Sequence, residues 1–124
     1  MPAHPVAVLV VDDDPGVRSV LCRTIEAYGY SVHAAADGLE ALTLLTAGLL
    51  VDVVITDLRM PRMDGRQLSA ELTVKYPHVR VLFISGFDAH LGSADLLGPV
   101  VPKPFRAETL IESVRGVLGQ QRSA

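Results

Sequence analysis

Apolar and polar positions fall into two kinds of block along this chain. Apolar runs rich in β-branched residues occur at 6–11, 53–55, 79–84 (interrupted only by Arg80) and, more briefly, 99–102. Such runs predict strands buried on both faces, as in a parallel sheet. A further run at 30–35 is shorter and more polar, which suits a sheet edge. Between the runs, apolar residues recur at helical spacing. Val17, Val20, Leu21, Thr24 and Tyr28 give the core face of a first helix, opened by Asp14 as N-cap and Pro15, and stopped by Gly29. A second helix runs from about Gly38 to Ala47, capped by Asp37, with Leu42 and Leu45 facing the core and Gly48 ending it. A third spans about Arg66 to Tyr76 and closes at Pro77. The last carries Ala107, Leu110, Ile111, Val114, Val117 and Leu118 on one face. The segment 87–98, with Gly92 in its middle, has room for one or two helical turns.

The order is therefore βα five times over. Alternating units of this length predict an α/β fold, with a parallel sheet between two helical layers. Five strands in one small domain suit a flavodoxin-like (βα)5 three-layer sandwich of strand order 2-1-3-4-5, here with a shortened fourth helix. The 124 residues fit a single domain, 1–124, with a core at about 6–118, a tail at 119–124 and no effector domain after the last helix. A net charge of −3 argues against a nucleic-acid-binding surface. No apolar run approaches the ~18 residues that span a bilayer, and the start has neither the basic nor the apolar region of a signal peptide. With a lone Cys22, which packs as a small apolar residue on the first helix, this points to a cytoplasmic protein. His4, His33, His78 and His90 are scattered and show no metal-ligand spacing.

The candidate chemistry lies at the strand ends. The first, third, fourth and fifth strands end on Asp12 and Asp13, Asp57, Ser85 with Gly86, and Lys103. Each has an ordinary explanation: an aspartate caps a helix, Ser-Gly makes a turn, a lysine is solvated. In the order 2-1-3-4-5, however, these four strands are contiguous, so their ends converge on the rim where open α/β sheets bind ligands. Three carboxylates in one cleft repel each other unless their pKa values rise or a cation sits among them. An all-oxygen, acid-rich cluster suits Mg²⁺, or Mn²⁺. Acids with a metal, a lysine and a hydroxyl are the parts needed to hold a phosphoryl group while an oxygen attacks it. The attacking group is a carboxylate on this reading, because Thr56, one residue before Asp57 on a strand, points to the opposite face.

These residues resemble the receiver domains of two-component response regulators, the CheY-like superfamily. Val8-Leu9-Val10-Val11-Asp12-Asp13-Asp14-Pro15 resembles the opening motif of that family. Asp57-Leu58-Arg59-Met60-Pro61-Arg62-Met63-Asp64-Gly65 resembles its phosphoacceptor motif, and Ile84-Ser85-Gly86-Phe87 and Lys103-Pro104-Phe105 resemble its last two. The resemblance implies that Asp57 accepts a phosphoryl group from a histidine kinase or a histidine phosphotransfer protein. It implies Mg²⁺ ligands in Asp13, Asp57 and the backbone carbonyl of Arg59, with Asp12 bound through water. Lys103 would pair with the phosphoryl oxygens, and Ser85, beside Gly86, would swing toward them as a switch. The bond before Pro104 is often cis in the family. Such a domain is a self-phosphorylating signalling domain with possible autophosphatase activity rather than an enzyme.

Two departures bear on output. Relatives usually carry an aromatic residue three positions before the lysine, turning inward on activation; here the output-face switch position is Val100. Ser85 and Lys103 are 18 positions apart, roughly one helical turn fewer than is usual. The short segment and the Ser-Gly-Phe form lean toward receivers of hybrid kinases or solitary ones. The apolar and small residues Pro15, Gly16, Val17 and Pro104 suggest that a phosphotransfer partner docks on the first helix. Two other readings stay open. A receiver-like binding module that takes no phosphate would keep the fold and lose the chemistry. A haloacid-dehalogenase-like phosphohydrolase shares the strand-end aspartate, hydroxyl, lysine and Mg²⁺. That family, however, wants Thr or Val where Gly16 stands, and an acidic pair near a late strand.

Overall fold

The apolar runs form one parallel sheet in a computed structural model that describes residues 5–86 and 98–120. Its strands are β1 (Ala7–Val11), β2 (Ser31–Ala35), β3 (Val53–Asp57), β4 (Arg80–Ser85) and β5 (Val100–Pro102). Their spatial order is β2-β1-β3-β4-β5, and each neighbouring pair is parallel. The helices among the described residues are α1 (Pro15–Ala27), α2 (Gly38–Thr46), α3 (Gly65–Lys75) and α4 (Ala107–Gln120). The expected short fourth helix, with Gly92, His90 and the motif residue Phe87, lies outside the described residues, as do His4 and the last four positions.

Alternation along the buried strands feeds two cores at once. Val8, Val10, Val53, Ile55, Leu82, Ile84 and Val101 point to one face, where Leu21 and Ile25 of α1 and Leu110, Ile111, Val114 and Val117 of α4 cover them. Leu9, Val11, Val54, Val81 and Phe83 point to the other, under Ala41 and Leu45 of α2 and Leu68 and Leu72 of α3. Both sets are needed because each central strand has no solvent face, which is why its sequence reads as a continuous apolar run. β2, at the edge, leaves His33 and Ala34 exposed. None of the described helices is long and apolar enough to cross a membrane.

The register of α1 departs from the expected face. Val20 is 49% and Tyr28 43% exposed, while Ile25 is fully buried. The stripe that meets the sheet is Val17, Leu21 and Ile25, spaced four apart; Val20 falls on its flank and Tyr28 is already the C-cap. Leu42 of α2 is only partly buried, and Ala41 takes the fully buried position. α4 continues past Leu118 to Gln120, two residues into the expected tail. Gly29 (φ 95°) and Gly48 (φ 109°) end the first two helices in the left-handed region, which costs glycine little.

Three aspartates set the loops at the carboxyl edge of the sheet. Asp14 Oδ1 accepts from the Gly16 N–H (2.8 Å) and the Val17 N–H (3.2 Å) at the start of α1. Asp37 Oδ1 accepts from the Glu40 N–H at 2.8 Å at the start of α2. Asp64 and Gln67 form a reciprocal capping box at the start of α3 (2.9 and 3.0 Å). α1, α2 and α3 are thus each started by a side chain of their own loop, which fixes where β1, β2 and β3 release their next residues.

Candidate metal centre at the carboxyl edge of the sheet

Strand alternation brings the site together. Val10, Ile55 and Val101 sit in the core under α1 and α4, and two residues further along their strands come Asp12, Asp57 and Lys103. A step of two keeps a side chain on the same face, so these three groups emerge on one side of adjacent strand ends. β1 pairs with β3 as far as Val11 opposite Thr56, and β4 pairs with β5 as far as Ser85 opposite Pro102. Lys103 Nζ donates to Asp57 Oδ2 at 3.1 Å and lies 3.7 Å from Asp12 Oδ2. One oxygen each from Asp12, Asp13 and Asp57 lies within 4.8 Å of the others.

The three acids differ in their surroundings. Asp13 is exposed, and the Asp57 side chain is 12% exposed. Asp12 is fully buried. Its Oδ1 accepts from the Asp14 N–H at 2.9 Å, but its Oδ2 is buried without a hydrogen-bond partner. Burial raises the Asp12 pKa above the ordinary carboxylate value; the Asp14 N–H and Lys103 oppose this, and the charges of Asp57 and Asp13 add to it. Burial alone would lower the Lys103 pKa, but the hydrogen bond and charge of Asp57 and the charge of Asp12 outweigh it, and the net direction is upward. Lys103 therefore stays an ammonium at neutral pH. One ammonium faces three carboxyl groups, and one of these, Asp12, keeps a buried oxygen without a hydrogen-bond partner. That donor set fits a hard divalent cation, which would satisfy Asp12 Oδ2 and offset the remaining charge.

The remaining predicted residues are placed less uniformly. Ser85 is 3% exposed and follows Phe83, whose side chain belongs to the opposite core, so it joins the cluster through its backbone: the Lys103 N–H donates to the Ser85 carbonyl at 2.7 Å. A Cβ on Gly86 would meet nothing within 4 Å, so the space beside Ser85 is open. The Lys103–Pro104 bond is cis. The Arg59 N–H donates to Asp57 Oδ1 at 3.2 Å, which holds that peptide beside the carboxylate. Thr56 is fully buried, and its hydroxyl donates to the Asp57 carbonyl at 2.9 Å, away from the acids. Val100 packs in the core under α2 and α3, opposite Phe83.

Two features were not read from the sequence. Arg18 of α1 donates through Nη1 to the Asp12 carbonyl at 2.7 Å, bracing the first acid from behind. Arg62 donates to Asp37, joining the loop after β3 to the start of α2. Both are single long cations meeting acceptors 6 and 25 positions away, and no local periodicity signals such a contact.

Comparison with known proteins follows the same outline. The response regulator receiver domain profile matches residues 8–115. The chain is 39% identical over 119 residues to the sensor kinase CckA of Brucella abortus, covering 92% of this chain and 13% of that protein. It is 39% identical over 124 residues to the response regulator MprA of Mycobacterium sp. (strain KMS), covering 92% of this chain and 51% of the regulator. The chain thus spans about half the length of the MprA regulators it matches. Among solved structures, a response regulator receiver protein from Sinorhizobium medicae superposes with a TM-score of 0.87 at 26% identity, over 97% of this chain and 99% of that one. The regulator TrrA from Thermotoga maritima, solved in complex with Mg²⁺-BeF, gives 0.80 at 29% identity, over 90% and 98%.

Proposed function

The chain belongs to the response regulator receiver domains of two-component systems, and from that premise we propose that Asp57 is its phosphoacceptor. The observation that carries the reading is the geometry of Asp57: a carboxylate at a strand end, held by Lys103 at 3.1 Å and flanked by Asp12 and Asp13 within 4.8 Å. An Asp57 oxygen forms a bond to phosphorus as the bond from phosphorus to the donor's imidazole nitrogen breaks. The electron pair of that bond returns to the imidazole, and the product is an acyl phosphate. Lys103, already fixed by Asp57, is positioned to take up the phosphoryl oxygens as charge builds on them. Asp12, Asp13, Asp57 and the carbonyl of Arg59 would hold Mg²⁺, or Mn²⁺ in its place. The bound metal would supply charge neutralisation between acids and phosphoryl group.

Ser85 and Gly86 would act after transfer. A new dianionic group at Asp57 attracts hydroxyl and ammonium donors, and Ser85 is tied to Lys103 through its carbonyl, so both move as one unit. Val100 cannot follow as an aromatic lever, because it is a small side chain packed against the core under α2 and α3. The output of this domain would therefore run through the Ser85–Lys103 unit. Slow loss of the phosphoryl group to water would reset it. The donor would be a histidine kinase or a histidine phosphotransfer protein, in the cytoplasm. It would dock on an open apolar groove of about 340 Å³ lined by Gly16, Val17, Val20, Lys103, Pro104 and Phe105. Val20, exposed where a core position was expected, is the side chain that widens that groove's apolar wall.

Intact mass after incubation with acetyl phosphate tests the reading. It predicts one added phosphoryl group in the presence of Mg²⁺, little without it, and none in Asp57→Asn. Free phosphate released over many turnovers, with no labelled chain, would instead support a hydrolase. A folded chain that takes no label from acetyl phosphate or from a phosphorylated histidine protein would support a binding module.

A further inference from the structure

The loop between β3 and α3 carries the proposed acceptor and metal carbonyl, and it is fastened at three places. At its start the Leu58 N–H donates to the Ile84 carbonyl at 3.1 Å. At its end the Gly65 N–H donates to the Leu58 carbonyl at 3.0 Å, and a Cβ on Gly65 would lie 2.5 Å from the Asp57 carbonyl oxygen. The middle of the loop has a different fastening. Arg62 adopts a left-handed backbone, with φ 68°. This conformation is costly for a residue with a Cβ. It aims the guanidinium at α2, where Nε donates to Asp37 Oδ2 at 3.0 Å and Nη2 donates to the same oxygen. Asp37 is 7% exposed and spends its other oxygen on the Glu40 N–H. Beside it, Gly38 sits so close to the loop that a Cβ would fall 2.8 Å from Met63 Cγ and 3.0 Å from the Met63 carbonyl oxygen.

The Arg62–Asp37 ion pair itself has no role in capping and lies outside the core, against which Met60 and Met63 of the same loop pack. Asp37 caps α2 through Oδ1 alone, and Arg62 keeps a side chain 62% exposed. What the pair does is hold residues 60–63 against the start of α2, three positions from Arg59. We propose that the Arg62–Asp37 pair, with Gly38 seated on Met63, makes the start of α2 the anchor of the acceptor loop. Arg62 is then a positioning residue for metal and phosphoryl uptake at Asp57, acting through the peptide of Arg59. This inference rests on the acceptor role proposed above.

Arg62→Gly separates the two explanations of the left-handed residue. Glycine accepts that backbone freely, so a role for the backbone alone predicts wild-type behaviour. A role for the latch predicts about fivefold weaker Mg²⁺ binding, by titration of backbone amide shifts, and a similar fall in labelling by acetyl phosphate at subsaturating Mg²⁺. It also predicts faster hydrogen exchange at Leu58 and Gly65 in the metal-free chain. Asp37→Asn, which keeps the capping oxygen, should give the same losses, and the double variant should be no worse than either single one. Wild-type Mg²⁺ affinity and exchange in Arg62→Gly and Asp37→Asn would overturn the proposal. If the wild-type chain itself takes neither Mg²⁺ nor label, the acceptor reading falls, and exchange at Leu58 and Gly65 still decides whether the latch holds the loop.

Discussion

Two aspartates bracket β3, and they are used in opposite ways. Asp52, just before the strand, accepts from the Ala7 N–H at 2.9 Å with its side chain. Its backbone bonds to Ala7 (2.8 Å) on one side and Arg80 (3.0 Å) on the other. It knits three strands at the amino edge, and its charge is answered by backbone. Asp57, at the last position of the same strand, faces Asp12, Asp13 and a single lysine. The amino edge satisfies its acid; the carboxyl edge gathers acids and leaves the Asp12 Oδ2 without a hydrogen-bond partner. One edge is built for stability, while the other gives up stability by gathering three acids around one lysine.

The largest expected effect tests the charge left at the carboxyl edge. Lys103→Met should slow phosphoryl uptake by about 10²-fold, as expected for losing one fixed donor to developing charge. Its Mg²⁺ affinity should hold or rise, since a competing cation is gone; a parallel loss of Mg²⁺ binding would mean that Lys103 acts only on the fold. Asp13→Asn should weaken Mg²⁺ binding by at least about tenfold in the same amide titration, while Asp52→Asn leaves it unchanged.

Stability gives the comparison a sign. The Asp12 carboxyl is raised by burial, so its folded pKa exceeds the unfolded one. Its stabilising contribution is present below the unfolded value and lost as pH rises through the folded one. At neutral pH the charged group therefore destabilises the fold, and Asp12→Asn should raise unfolding free energy by about 1 kcal/mol in denaturant melts. Asp52→Ala, which strands the Ala7 N–H, should lower it by about the same amount. Equal signs for the two would erase the contrast between the edges.

The smallest effect lies between them. The Asp37 carboxyl is held below the ordinary value, first by the Glu40 N–H and then by Arg62. Its contribution is present above the unfolded pKa of about 3.9 and lost as pH falls through the folded one. Asp37→Asn should flatten that acid limb by a few tenths of a kcal/mol in melts between about pH 5 and 2.

Much of this was legible in the residues. The strands, their order and the meeting of Asp12, Asp13, Asp57 and Lys103 follow from apolar runs that need two covered faces and from acids at their ends. Local caps at Asp14 and Asp37 were readable because side chain and backbone partner are two or three positions apart. The face of α1 was not: Val20 and Leu21 are both apolar, and only packing against β1 and β2 decides that Ile25 goes in and Val20 out. Arg62 was invisible for a related reason, since its acceptor is 25 positions away and its left-handed backbone runs against its own preference. Such a residue is intelligible only once α2 is seen beside the loop.

The most direct test of the central claim is to locate the label. After acetyl phosphate and Mg²⁺, borohydride reduction converts an acyl phosphate to homoserine, and peptide mass spectra show which residue changed. The account predicts homoserine at Asp57 alone, with Asp52, Asp12 and Asp13 intact. Reduction at any of those three instead, or a phosphoryl group carried on a histidine, would contradict it.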